Sequence, residues 1–287
     1  MKFIMPVAVT AAILTSSTLA EPSLSATEPS IWAINQAYAK DAYCIMTTTH
    51  KIYQCLVAVA INTNFPPNTS PTYWQEIVST NAWRMFDAYG SSKSIAGSAQ
   101  PSITITLTPG VIINAVAFIG LQYTDTVAIS TNAGYSASIP ATGKTDLVVT
   151  DLVAAATAVI TITITGTTGK VGVGKVEIGN SFELGDINFG SSVGIIDYST
   201  KVTNPWGDTT ITKRNYTKRL TAKLTISNPN LDAVESKLAA YRSTAVVWIG
   251  NENLYTALIV YGYYRDFDIN IAYPTQSDCS LTIEGVT

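Results

Sequence analysis

Histidine, cysteine and charge are all scarce in this chain, and each scarcity removes a class of function. His50 is the single histidine among 287 residues. That leaves no set of imidazoles for a His-based zinc site and makes any serine–histidine triad hang on one residue in an expected turn. Three cysteines, Cys44, Cys55 and Cys279, are too few to staple a fold of this length. Charged residues are 13% of the sequence, about half the usual share of roughly 25%. A net charge of only -3 gives no overall attraction to nucleic acid, and no nucleic-acid specificity is expected. No run approaches the eighteen or so apolar residues of a membrane-spanning helix. No catalytic residue, metal or cofactor is expected.

What is present is a hydrophobic content of 47%, which with the small net charge excludes a disordered chain. The length suits one large domain or two to three small ones. The start is ambiguous. Lys2, the apolar run Phe3 to Leu14 and the small residues up to Ala20 read as a secretory signal cleaved after Ala20. Pro6, Val7, Val9 and Thr10 also make an acceptable first strand, and both readings are open at this point.

The pattern predicts a mainly β protein: a β-sandwich or jelly-roll domain, a small aromatic β module, and a C-terminal β-sheet domain with one packed helix. Residues 1–30 form an N-terminal strand or arm. Residues 31–78 form the small module, with short strands around 42–46 and 51–57 and a turn at Thr49-His50. Its aromatics Trp32, Tyr38, Tyr53 and Trp74 are candidates to stack on sugar rings, and equally serve as the core of a unit this small. Cys44 and Cys55 lie symmetrically about residues 48–51, so a hairpin turning there places them opposite each other, as a bridge or as two reduced thiols. Residues 79–180 form the jelly roll. Ile103, Ile105 and Leu107 alternate with Thr104, Thr106 and Thr108 at period two, and strands are expected at 111–121, 126–130, 146–150, 158–165 and 170–178. Residues 181–287 form the C-terminal domain. Leu231, Val234, Leu238 and Tyr241 share one helix face after Asn228-Pro229-Asn230, and strands follow at 245–249, 256–264, 267–273 and 279–284.

Three motifs carry weaker chemistry. The run Gly169 to Val176 falls one residue short of a phosphate-binding loop, with Val176 where a magnesium-ligating hydroxyl belongs and no helix expected after it. Asp266 and Asp268 share a strand face, as paired carboxylates might, yet no further acids surround them and an edge or interface role fits better. The basic run Lys213 to Lys223 is split between two strand faces, which makes Lys218 and Arg219 candidates for a subunit contact.

The stretch YWQEIVSTNAWRMFDAYGSSKS, Tyr73 to Ser94, resembles the "YW…GPTNRWAMFD" signature of tailed-bacteriophage virion proteins of the tail-tip or baseplate, distal-tail-like kind, which carry carbohydrate-binding-like domains. The likeness continues in order at positions 9–21, 182–201 and from Arg242 to Val286, including CSLTIEGV near the end. Ser79-Thr80 departs from the family's Gly-Pro. The module at 31–78 resembles small chitin-binding units, although Lys40 replaces their glycine. The opening of 79–180 resembles discoidin-like galactose-binding domains, which implies Asp87 in a first-loop contact. These resemblances imply a structural virion protein assembled in the host cytoplasm. Its implied partners are itself as a homo-oligomer, other tail proteins (tube, hub or fibre) and host glycans. The alternative is a secreted bacterial carbohydrate-binding protein.

Overall fold

The computed structural model describes residues 1–23, 27–61, 64–97, 101–153, 155–167, 169–251 and 255–286. The protein is mainly β, with a curled sheet and one α-helix among the described residues.

The first strand, β1 (Lys2–Pro6), has Phe3 and Ile4 fully buried on opposite faces. A strand that is apolar on both sides needs cover on both sides, so it belongs in the middle of a sheet. After it come β2 (Leu14–Ser17) and the small module, which is a three-stranded antiparallel sheet of β3 (Tyr43–Met46), β4 (Lys51–Cys55) and β5 (Trp74–Ser79).

Next along the chain are β6 (Ser94–Ile95), β7 (Ser102–Leu107), β8 (Ala115–Ile119), β9 (Thr126–Thr131), β10 (Ser136–Pro140), β11 (Asp146–Val149), β12 (Ile160–Thr165), β13 (Gly172–Val173) and β14 (Lys175–Glu183). A five-stranded sheet in the order β10-β9-β12-β7-β2 faces the β11-β8-β14 end of a ten-stranded sheet, and the chain alternates between the two as a jelly roll does. The alternating Ile and Thr of β7 and β12 send Ile103, Ile105, Ile160, Ile162 and Ile164 inward. There they meet Val116, Phe118, Val176 and Ile178 from the other sheet. The expected strand at 111–121 is shorter at both ends, and β10 lacks a sequence signal because its residues are small, polar and largely solvent-facing.

The remaining elements are β15 (Asp186–Ile187), β16 (Ser192–Asp197), β17 (Thr200–Thr203), β18 (Thr209–Thr212), β19 (Tyr216–Ser227), α1 (Leu231–Ala240), β20 (Val246–Ile249), β21 (Ile259–Asn270) and β22 (Gln276–Gly285). The ten-stranded sheet reads β11-β8-β14-β1-β20-β21-β22-β19-β15, with β16 also paired to β19. β14 runs unbroken across position 180, and β1 bridges β14 to β20 with Phe3 opposite both Phe182 and Trp248. Gly179 makes that approach possible, since a Cβ there would lie 2.0 Å from the Met5 carbonyl oxygen. The two strands expected at 256–264 and 267–273 are one, β21, because no turn residue separates them; a register shift between Tyr264 and Asp266 absorbs Arg265.

α1 lays Val234 and Leu238 over one face of this sheet, against a cluster that includes Phe3, Leu220, Trp248 and Leu281. The opposite face curls inward. β11 returns against β21, and Ile4, Ala115, Ala117, Val247, Ile249, Ile259 and Tyr261 fill the concave side. The small Ala115 and Ala117 side chains suit the inside of a curl, where facing strands crowd together.

Candidate functional site

In the small module, Tyr38, Tyr53 and Trp74 are 8%, 5% and 2% exposed. Tyr38 and Trp74 meet edge to face at 5.1 Å, Trp74 Nε1 donates to the Phe65 carbonyl at 2.9 Å, and the Tyr38 hydroxyl accepts the Ala33 N–H at 2.8 Å. These three rings are therefore the module's core and offer no open face to a sugar. Trp32 packs against the same cluster while half-buried, and it alone of the four keeps accessible surface. A unit this short has few apolar residues other than aromatics with which to exclude water.

All three cysteines are free thiols. The hairpin pairs Cys44 with Tyr53, and Cys55 with Trp74 on the next strand. The turn is centred one residue earlier than the cysteine spacing suggested, which sets the two sulfurs on diagonal rather than opposed positions. Burial pushes the Cys44 thiol up to about 12.

The signature around Asn81 and Asp87 joins the module to the sandwich. Thr80 and Asn81 are fully buried. The Asn81 side chain donates to the Ile95 carbonyl and accepts the Ile95 N–H, both at 2.9 Å, as a backbone strand would. His50 stacks on Trp83 at 3.9 Å and bonds Glu21, whose other oxygen accepts the Thr80 hydroxyl at 2.8 Å. Asp87, the expected first-loop contact, spends its carboxylate on its own loop, accepting the Tyr89 N–H at 2.8 Å and the Ser92 hydroxyl at 3.1 Å. Its carbonyl oxygen accepts from Lys175 Nζ at 2.6 Å.

Lys175, at the end of the glycine run, closes a buried polar cluster. Its ammonium lies 3.3 Å from the Glu177 carboxylate and 5.2 Å from the centre of the Tyr261 ring. Burial pushes the Glu177 carboxyl up, with Lys175 opposing. A Cβ on Gly174 would sit 2.3 Å from the Gly90 carbonyl oxygen, so that glycine serves close backbone packing, and the chain continues into β14, with no helix after the run, as expected. Asp266 and Asp268 lie exposed along β21.

Beside this cluster, a cleft of about 530 Å³ opens at the mouth of the curled sheet. Its walls come from the loop 90–93, the end of β8, the start of β11, the segment 213–218 and the start of β21. Lys218 reaches across it to form an ion pair with Asp146 and also donates to the Ile259 carbonyl at 3.1 Å. Lys218 is thus committed inside its own chain, whereas Arg219 stays exposed, opposite Glu284 on β22. Lys93 and Asp146 have no local sequence signature; each stands out only when folding brings the loop and β11 together.

A third feature is an arm. β17 and β18 pair only with each other and are exposed along their whole length, with Val202 and Ile211 outward and Trp206, 85% exposed, at the tip. Ile195 on β16, Tyr198 and Tyr216 extend this apolar surface. Elsewhere, Phe189, Val193, Tyr255 and Leu258 line a groove of about 480 Å³. No helix among the described residues is long and apolar enough to cross a membrane.

The chain matches no family model and no curated protein sequence.

Proposed function

We propose that this chain is a structural, non-enzymatic component of a bacteriophage tail tip or baseplate. In this reading it is assembled in the host cytoplasm, resides in the virion, self-associates and contacts neighbouring tube, hub or fibre proteins. The observation that carries the proposal is the unsupported arm β17–β18. A lone two-stranded hairpin is marginally stable in water, and one that also presents Val202, Trp206 and Ile211 to solvent gains stability by docking on another protein surface. The low charge and threonine-rich strands suit repeated subunit contacts, and the ordered resemblance along the chain supplies the virion context. Host glycan enters as a further contact through Trp32, the member of the aromatic set with an accessible face.

The rival, a secreted carbohydrate-binding protein, requires cleavage after Ala20. That cut would remove β1 from between β14 and β20.

The test is the double variant Trp206→Ala, Ile211→Ser. Both side chains are exposed, so the isolated chain should keep its thermal transition while its assembly into tail particles, followed by sedimentation, drops severalfold. Particle yield equal to that of the unmodified chain would exclude the arm as the assembly contact.

A further inference from the structure

The cleft at the mouth of the curled sheet holds more positive charge than the fold uses. Four cations, Lys93, Lys213, Arg214 and Lys218, line it together with one acid, Asp146, and Asp146 is already paired with Lys218. The other three make no ion pair within the cleft, although Lys213 also acts on Asp197 outside it. Lys213 and Arg214 rim the opening from an exposed segment. Lys93 is different, because it is half-buried and its Nζ donates to a neutral acceptor, Gln122 Oε1, at 3.1 Å. Taking an ammonium partly out of water with no carboxylate in direct contact is unfavourable, and an anion arriving in the cleft would offset that cost. Burial draws the Lys93 ammonium below the usual lysine value, with Asp146 opposing.

We propose that this cleft is a binding site for a small ligand carrying an oxyanion, a carboxylate or a phosphate, held by Lys93 at depth and by Lys213 and Arg214 at the rim. A volume of about 530 Å³ lies within the range of roughly 300–1,000 Å³ typical of small-molecule sites. Low-dielectric walls focus the field of Lys93, Lys213 and Arg214 into the opening. Arg214 can meet a carboxylate or phosphate with two parallel N–H donors, while Lys93 acts as a point charge. The floor adds Ile259, Val286 and the Tyr261 ring, which give the uncharged part of such a ligand an apolar surface. An anionic sugar unit and free phosphate share this chemistry and differ in what the floor gains.

Isothermal titration of the full chain at constant ionic strength, with inorganic phosphate in one arm and glucuronate in the other, tests the site. Saturable one-to-one binding is expected, weakened about tenfold in Lys93→Met and unchanged in Lys40→Met, an exposed cation in the small module. Tighter binding of glucuronate than of phosphate identifies an acidic sugar as the ligand class, and the reverse order identifies phosphate. Should Lys93→Met fail to fold, Arg214→Gln decides, since its side chain lies at the surface; severalfold weaker binding supports the site and unchanged binding overturns it. Absence of saturable binding in both arms, or equal weakening in Lys40→Met, overturns the proposal.

Discussion

The ring of Phe3 packs 5.2 Å from that of Trp248, joining the second residue of β1 to the strand that leads from α1 back into the sheet. Tyr241, just beyond α1, meets the other side of Phe3 at 5.2 Å, edge to face, and Trp248 Nε1 donates to the buried Gly262 carbonyl at 2.8 Å. The opening residues thus sit at the centre of the cluster under the helix. Phe3→Ala should cost about 3–5 kcal/mol, the usual penalty for emptying a fully buried aromatic site. Denaturant titration measures it. Deletion of residues 1–20 should abolish cooperative unfolding, because it exposes the edges of β14 and β20 together. A cooperative, monomeric protein starting at Glu21 would show that β1 is dispensable.

The ion pair of Lys218 with Asp146 should respond unequally to loss of either partner. The Asp146 side chain is 5% exposed and that of Lys218 31%. Lys218→Met strands a buried carboxylate with the Gly120 N–H at 3.0 Å and the Thr145 hydroxyl at 3.3 Å as its remaining donors. The expected cost is about 3–5 kcal/mol. Asp146→Asn leaves an ammonium that water can reach, and should cost about 1–2 kcal/mol. Equal losses in urea unfolding would mean that the pair is solvated.

The thiols predict an alkaline limit to stability. Burial pushes Cys44 up to about 12 and Cys279 up to about 11, from an ordinary 9.0. A folded-state value above the unfolded one contributes stability that is fully present below pH 9 and is lost as pH rises through 11 to 12. The thermal midpoint should fall across that window, and Cys44→Ala with Cys279→Ala should flatten the fall. Intact mass should be the same with and without reductant, because no cysteine is bridged.

The module separates core from contact. Trp74→Ala should cost about 3–5 kcal/mol and unfold residues 31–79, visible as rapid proteolysis there. Trp32→Ala should be milder, about 1 kcal/mol, since part of its surface is already wet. If Trp74→Ala left the module folded and abolished polysaccharide binding, Trp74 would be a sugar platform after all.

Much of the scaffold was legible in the chain because its signals are local. The Ile–Thr alternation of 103–108 and 160–165 dictates half-buried strands wherever they lie. The spacing of Leu231, Val234 and Leu238 dictates an amphipathic helix, and α1 begins at Leu231 with Val234 and Leu238 buried. The strands between 186 and 212 were missed. β15 has two residues, and β16 to β18 are exposed, so they lack the one-sided apolar pattern that reveals a strand.

The roles of single residues lay further from reach. Composition marked Trp74 and Tyr53 as aromatic but could not say which way they face, because a core ring and a contact ring look alike in sequence. Asp87 looked like a loop contact, and its carboxylate closes its own turn. Lys218 looked like an edge charge. Its inward path depends on Asp146, which only the curl of the sheet brings near.

The sequence by itself determined a mainly β chain, its strand-forming alternations, its one amphipathic helix and the scarcity of histidine and cysteine, since these follow from residue type and short-range period. Tertiary structure decided where β1 pairs, which aromatics are core and how much of the basic run is spent on Asp146. It also decided that Lys93 ends half-buried in a cleft with the neutral Gln122 as its hydrogen-bond partner. Those outcomes are set by contacts between segments far apart in the chain, where the position of one partner is fixed only after the other has folded against it.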